Sequence, residues 1–384
     1  MSEKLQDIDY NLDENQIEIS DESNVHINIP FDPNLIRIRR DPFTLGELID
    51  KIEHNEINFI TKFQRKADLW DPTKQSRLIE SILLKLPLPA FYFDEIIKED
   101  KKTEEKSYLW QVIDGLQRCS VLRNFVVNKT MQLENLEFLI RFNGNFYDDL
   151  PREFQRRISQ TSITIYVVEK GTPEEVKFNI FKRINTGGLI LTPQEIRHAL
   201  NQGVASDFVA DLADFDSFKN ATCRIIKSER MEDRDFVTRF VSFYITPYAN
   251  YEPDLDTFMT KGMGLIKTLS DEKRIQMKND FDRAMESAIQ IFGNDAFRKR
   301  KNIDDRRGPI NKALFEVLSV TLAKLDVSNT EKLLAKREFF KNRFIELNND
   351  RAFFGSIGGG TGEKTRVAKR FSEIERIINE TISN

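Results

Sequence analysis

At 384 residues, 40% of them hydrophobic and 31% charged, the chain can build two or three domains with cores of their own, which excludes a disordered polymer. A net charge of −4 excludes a uniformly cationic nucleic-acid coat, and two cysteines (Cys119, Cys223) exclude a disulfide framework. The apolar runs fall short of the ~18–20 residues of a membrane span, the run from Ile79 to Tyr92 being broken by Lys85 and two prolines.

Residues 1–30 read as an acidic, weakly ordered tail without the basic-then-apolar build of a secretory signal, so a cytoplasmic protein is expected. "PNLIRIRRDPF" predicts a short strand, and "TLGELIDKIEHNEI" a helix with Thr44 and Glu47 spaced as a capping box. Asp71 and Pro72 then mark a helix start, with Leu78, Ile79, Ile82 and Leu86 as its buried face and a stop before "LPLP". "AFYFDEIIKED" and "KSYLWQVID" read as a strand pair joined by a charged turn. In "LWQVIDGLQRCSVLRNFVV" the apolar period changes from two to 3.6 at Asp114-Gly115, so a strand turns directly into a helix. A less regular stretch around "FNGNFYDDLPREFQRRIS" leads to the strand "TSITIYVVEKG" and the helix "TPEEVKFNIFKRIN". "LTPQEIRHALNQG" repeats the Thr-Pro-x-Glu start signal, and from there only helical patterns follow. The expectation is an α+β protein, with a small mixed-sheet domain over 31–191 and an all-helical domain over 192–384.

A strand that turns on glycine into a helix suits an anion, because backbone N–H groups and the positive end of the helix dipole face it. Three segments share the residue types of a polyphosphate site: Gln64 and Arg65 in "FQRKADLW", Gly115 and Arg118 in "DGLQR", and Arg183, Asn185, Gly187 and Gly188 in "FKRINTGG". Arginine supplies a bidentate cation, glycine a close backbone approach, and Asn185 a small polar metal contact. Asp114 is either a helix cap that excludes phosphate or a catalytic carboxylate that meets phosphate through a divalent cation such as Mg2+. A competing expectation joins Arg65, Arg118, Arg183 and Arg197 with Asp114, Glu80 and Glu195 in a buried ion-pair network. "GGGTGEKT" (358–365) is not a P-loop, since Glu363 stands where glycine must precede the lysine. The basic segment "FRKRKNIDDRR" is a candidate DNA-backbone patch through Arg298, Lys299, Arg300, Lys301, Arg306 and Arg307, or else a solvated loop. His26, His54 and His198 are too scattered for a zinc site or a His-rich nuclease motif.

Together "FQRKADLWDPTKQSRLIESILLKLPLPAFYF", "VIDGLQR" and "FKRINTGGLILTPQEIRHAL" resemble the N-terminal domain of GmrSD-type restriction proteins, a family with a DGQQR signature. The resemblance implies a ParB/sulfiredoxin-like core, and nucleoside triphosphate binding and hydrolysis tied to defence against foreign or modified DNA. Its signature falls on Asp114, Gly115, Gln117 and Arg118, with flanking motifs on Gln64 and Arg65 and on Arg183, Asn185, Thr186, Gly187 and Gly188. On that implication Asp114, Gln117 and Arg118 are catalytic, the flanking residues and Gly115 hold nucleotide, and Asp114 and Asn185 meet Mg2+. Leu116 departs from the signature's first glutamine, which leaves open a non-hydrolysing nucleotide sensor that controls a separate nuclease subunit, while the implied ParB-like fold leaves open a DNA-nicking enzyme. The family's C-terminal His-containing nuclease domain has no counterpart in these residues.

Overall fold

The computed structural model describes residues 16–18, 36–59, 70–99, 106–184 and 191–383. The chain divides into two units, one formed by Phe31–Ile190 and the other by Leu191–Asn384 with the N-terminal residues.

The first unit is a five-stranded mixed sheet in the order β1-β5-β3-β4-β2, packed with helices. β1 (Ile38–Thr44) runs antiparallel to β5 (Ser162–Val168), which lies parallel to β3 (Phe91–Glu99). β3 is antiparallel to β4 (Lys106–Asp114), and β4 is parallel to the two-residue β2 (Ile57–Asn58). The expected strand pair therefore forms, and β2 is an addition too short for period-two alternation to signal.

Helix α1 (Leu45–Glu53) starts on the expected capping box: the Thr44 hydroxyl accepts the Glu47 N–H while Glu47 accepts the Thr44 N–H. Helix α2 (Pro72–Leu83) starts on Asp71 and buries Leu78, Ile79 and Ile82. Leu86 departs from its expected place: it lies past the helix end and is 49% exposed, because the chain has left helical period before the prolines. Helix α3 (Leu116–Leu122) continues as a π-turn over Arg123–Val127. Helix α4 (Arg152–Gln160) occupies the stretch expected to be irregular, and Ile158 is the one buried residue among its polar side chains. Helix α5 (Glu174–Ile184) completes the unit. Phe91, Phe93, Val112, Ile163, Ile165 and Val167 meet apolar residues of α1–α4 in one core.

Two buried acids fix this architecture. Glu80 of α2 accepts the backbone N–H groups of Glu137, Phe138 and Leu139 at 3.1, 2.7 and 2.7 Å, pinning an irregular segment. Burial pushes its carboxyl upward, but the three N–H donors outweigh that and hold it below the usual value. Asp94 of β3 pairs with Lys177 of α5 at 2.7 Å, both buried, and this bond ties α5 to the sheet. Burial lifts the Asp94 carboxyl to about 6, with the Lys177 ammonium opposing the rise.

Among the described residues the regular elements of the second unit are all helices, beside isolated bridges. It comprises α6 (Pro193–Leu200), α7 (Val204–Asp214), α8 (Asp216–Ala221), α9 (Glu232–Ile245), α10 (Leu255–Leu265) and α11 (Asp271–Phe292). It ends with α12 (Lys312–Ala323), α13 (Val327–Ala335), α14 (Arg337–Asn349), α15 (Arg351–Ser356) and α16 (Lys364–Ser383). Phenylalanines dominate its core: Phe236 contacts Phe315, Phe240 contacts Phe281, and Phe218 contacts both Phe281 and Phe315. Within it Arg370 and Glu316 pair at 2.5 Å, both 0% exposed. Of the N-terminal tail, Gln16–Glu18 join this unit: Ile17 bridges Ile310, and Glu18 pairs with Lys299 at 2.6 Å.

Candidate functional site

The strand-to-helix turn at Asp114-Gly115 is built from three features of its sequence. Alternation carries β4 to Asp114, and Gly115 then takes φ +99°, a left-handed conformation that favours glycine. A Cβ at Gly115 would also stand 2.7 Å from Phe91 Cδ1, so glycine is required by packing as well as by the turn. The helical run from Leu116 follows at once.

Asp114 is not the helix cap. Gly115 occupies the N-cap position of α3, without a side-chain capping bond. The Asp114 carboxylate instead accepts from Arg118 Nη2 at 2.9 Å, with 28% of its side chain exposed. Arg118 is buried, donates to the carbonyls of Pro89 and Ala90, and lies 4.3 Å over the Phe91 ring. Burial pulls its guanidinium below the ordinary arginine value, and Asp114 opposes that pull. Arg118 thus folds back to the helix start, as its spacing suggested, but onto the protein's own carboxylate.

Gln117 Oε1 accepts the Trp70 N–H at 3.3 Å, while Gln75 Nε2 donates to the Trp70 carbonyl at 2.7 Å. The end of "FQRKADLW" is therefore tied to "DGLQR". Gln64, Arg65, Asn185, Thr186, Gly187 and Gly188 lie outside the described residues. Arg183 is exposed in the last turn of α5, and among the described residues no hydrogen bond or ion pair joins it to Asp114 or Arg118. Leu116 packs partly buried against the hydrophobic core, so its position is a packing position. Cys119 is fully buried, which pushes its thiol up to about 12 and leaves it unreactive.

Of the ion-pair network weighed above, Arg65 lies outside the described residues, and one pair, Arg118–Asp114, forms within the first unit. Arg118 bonds Asp114, and Glu80 bonds backbone N–H groups. In the helical unit Arg197 pairs with Asp256 and Asp235 at 2.5 and 3.3 Å, and Glu195 with Arg230 at 2.9 Å. The basic segment is also drawn inward. Arg298 donates to the carbonyls of Asn294 and Gly308, Lys299 pairs with Glu18, and Arg300 and Arg307 share Asp295. Lys301 and Arg306 remain exposed.

Residue patterns alone did not single out Tyr92 and Tyr166. A register shift in the β3–β4 ladder sets Tyr92 opposite Asp114, and Tyr92 stacks on Tyr166 with ring centroids 4.9 Å apart. The available signal was one tyrosine on the less apolar face of each strand.

These features define an α+β domain whose mixed sheet ends in a charged strand–turn–helix site. Residues 45–202 match the family model of the GmrSD restriction endonuclease, N-terminal domain, and over that stretch the chain is similar to that family. Compared with curated proteins, the sequence matches none. No helix among the described residues is long and apolar enough to cross a membrane.

Proposed function

We propose that this protein is a nucleoside triphosphate-binding and -hydrolysing component of a bacterial restriction system directed at foreign or modified DNA, working in the cytoplasm. The observation that carries this reading is the Asp114 carboxylate: it has no capping duty, is held half-buried by Arg118, and stands beside Gly115 where the strand becomes a helix. The family match at residues 45–202 supports the restriction context.

Mg2+ is usually held by one or two carboxylates together with substrate phosphates and water. Asp114 offers one such hard oxygen donor, and the described residues contain no cluster of three or more acidic, His or Cys ligands. That donor set fits an ion that arrives with the nucleotide, with Asp114 as its protein ligand. Bound there, the ion would neutralise phosphate charge. Arg118 positions Asp114 rather than gripping phosphate, because its other donors already meet Pro89 and Ala90. Gln117, fixed by the Trp70 N–H, orients the attacking water. Leu116, packed against the core, leaves these roles untouched, which favours turnover over a purely sensing role.

Phosphate release from ATP, GTP, CTP and UTP with Mg2+ tests the proposal. Wild type is expected to hydrolyse at least one of them, with Asp114→Ala and Arg118→Ala each slower by about 100-fold or more. Equal rates in all three proteins would remove the site assignment. DNA binding through Lys301 and Arg306, and a separate nuclease subunit, complete the proposed setting.

A further inference from the structure

We propose that the stacked pair Tyr92–Tyr166 is the platform on which the nucleobase of the bound nucleotide lies. This rests on the reading of Asp114 as the phosphate end of a nucleoside triphosphate site, and extends it to the other end of the ligand.

The strand register places four side chains in one row across the sheet: Arg40 on β1 opposite Tyr166 on β5, Tyr166 beside Tyr92 on β3, and Tyr92 opposite Asp114 on β4. Directly paired residues project to the same face of a sheet. The two rings stack at an interplanar angle of 14°, and both tyrosines are only partly buried. Arg40 is exposed at the far end of the row. The buried Asp94–Lys177 bond shows that α5 covers the same face two residues further along β3, so the tyrosines lie at the edge of that cover. Neighbouring strands are about 4.8 Å apart, which puts Tyr166 roughly 10 Å from Asp114. That is the reach of a ribose and a polyphosphate. A planar, electron-rich ring pair accepts any base on its faces, and an arginine beyond it can close over the base as a cation.

The test is calorimetric titration, in Mg2+, of wild type, Asp114→Asn, Tyr92→Leu, Tyr166→Leu and Tyr166→Phe with each of the four nucleoside triphosphates and with inorganic tripolyphosphate. Each Leu variant should bind the preferred nucleotide at least about tenfold more weakly, and Tyr166→Phe should stay within about twofold of wild type. Tripolyphosphate, which has no base, should bind all three tyrosine variants as it binds wild type. A Leu variant that binds the nucleotide as wild type does, while Asp114→Asn weakens it, overturns the platform and leaves the nucleotide site standing. Equal losses for nucleotide and tripolyphosphate in the Leu variants also overturn it. A wild type that binds none of the nucleotides removes the site and the platform together.

Discussion

Two glycine-bearing segments that lead into helices, Asp114-Gly115 and Gly358–Thr365, are built to opposite ends. At Asp114-Gly115 a strand feeds α3, and a partly exposed acid is held by an arginine beside half-buried tyrosines. At Gly358–Thr365 the preceding element is the short helix α15, and the loop is bound from within. Arg366 donates to the Gly359 carbonyl, Arg370 to that of Thr361 at 2.8 Å, and the Tyr251 hydroxyl to that of Gly362 at 2.6 Å. Glycine content therefore does not mark a ligand site; what surrounds the glycine does. The second segment is a latch for α16, and the first leaves charge and aromatic surface available.

Substitutions should separate the two roles. The largest effect is expected at Arg370, whose removal takes from the buried Glu316 its 2.5 Å partner and leaves it the longer 3.6 Å pairing with Arg239: Arg370→Met should cost about 3 kcal/mol in denaturant unfolding. A loss below about 1 kcal/mol would show that the latch carries no weight. Next, Gly115→Ala meets both a left-handed φ and Phe91, and should cost about 1–3 kcal/mol. Gly359→Ala meets nothing within 4 Å and should change stability by less than about 0.5 kcal/mol. Equal effects at the two glycines would erase the contrast.

The smallest effect concerns pH. Glu80 is held below its ordinary value of 4.5 by three backbone donors. A carboxyl depressed in the folded state contributes stability that is present above 4.5 and lost as pH falls through its native value. Glu80→Gln should therefore flatten the acid limb of the stability–pH curve. An unchanged limb would mean that Glu80 does not hold the 137–139 segment.

Much of this was legible beforehand because local chemistry decided it. The Thr44–Glu47 and Thr192–Glu195 boxes, the Asp71-Pro72 start and the period change at Gly115 all stand where short-range rules put them. What escaped depends on partners distant in sequence. Asp114 is the local exception: a helix cap and a pair with Arg118, four residues on, are both within reach of its carboxylate, and the fold selects the pair. The Tyr92–Tyr166 stack needs the β3–β5 pairing, which joins residues 74 apart and leaves no local trace. The basic segment looked available because Asp295 and Glu18, which draw it inward, are recognised only through the fold.

The most direct test of the nucleotide site is amide hydrogen exchange of the full chain with and without Mg2+ and its preferred nucleoside triphosphate. Protection should rise in peptides covering 109–122 and stay unchanged across 358–365. Protection that appears at 358–365 and not at 109–122 would contradict the account.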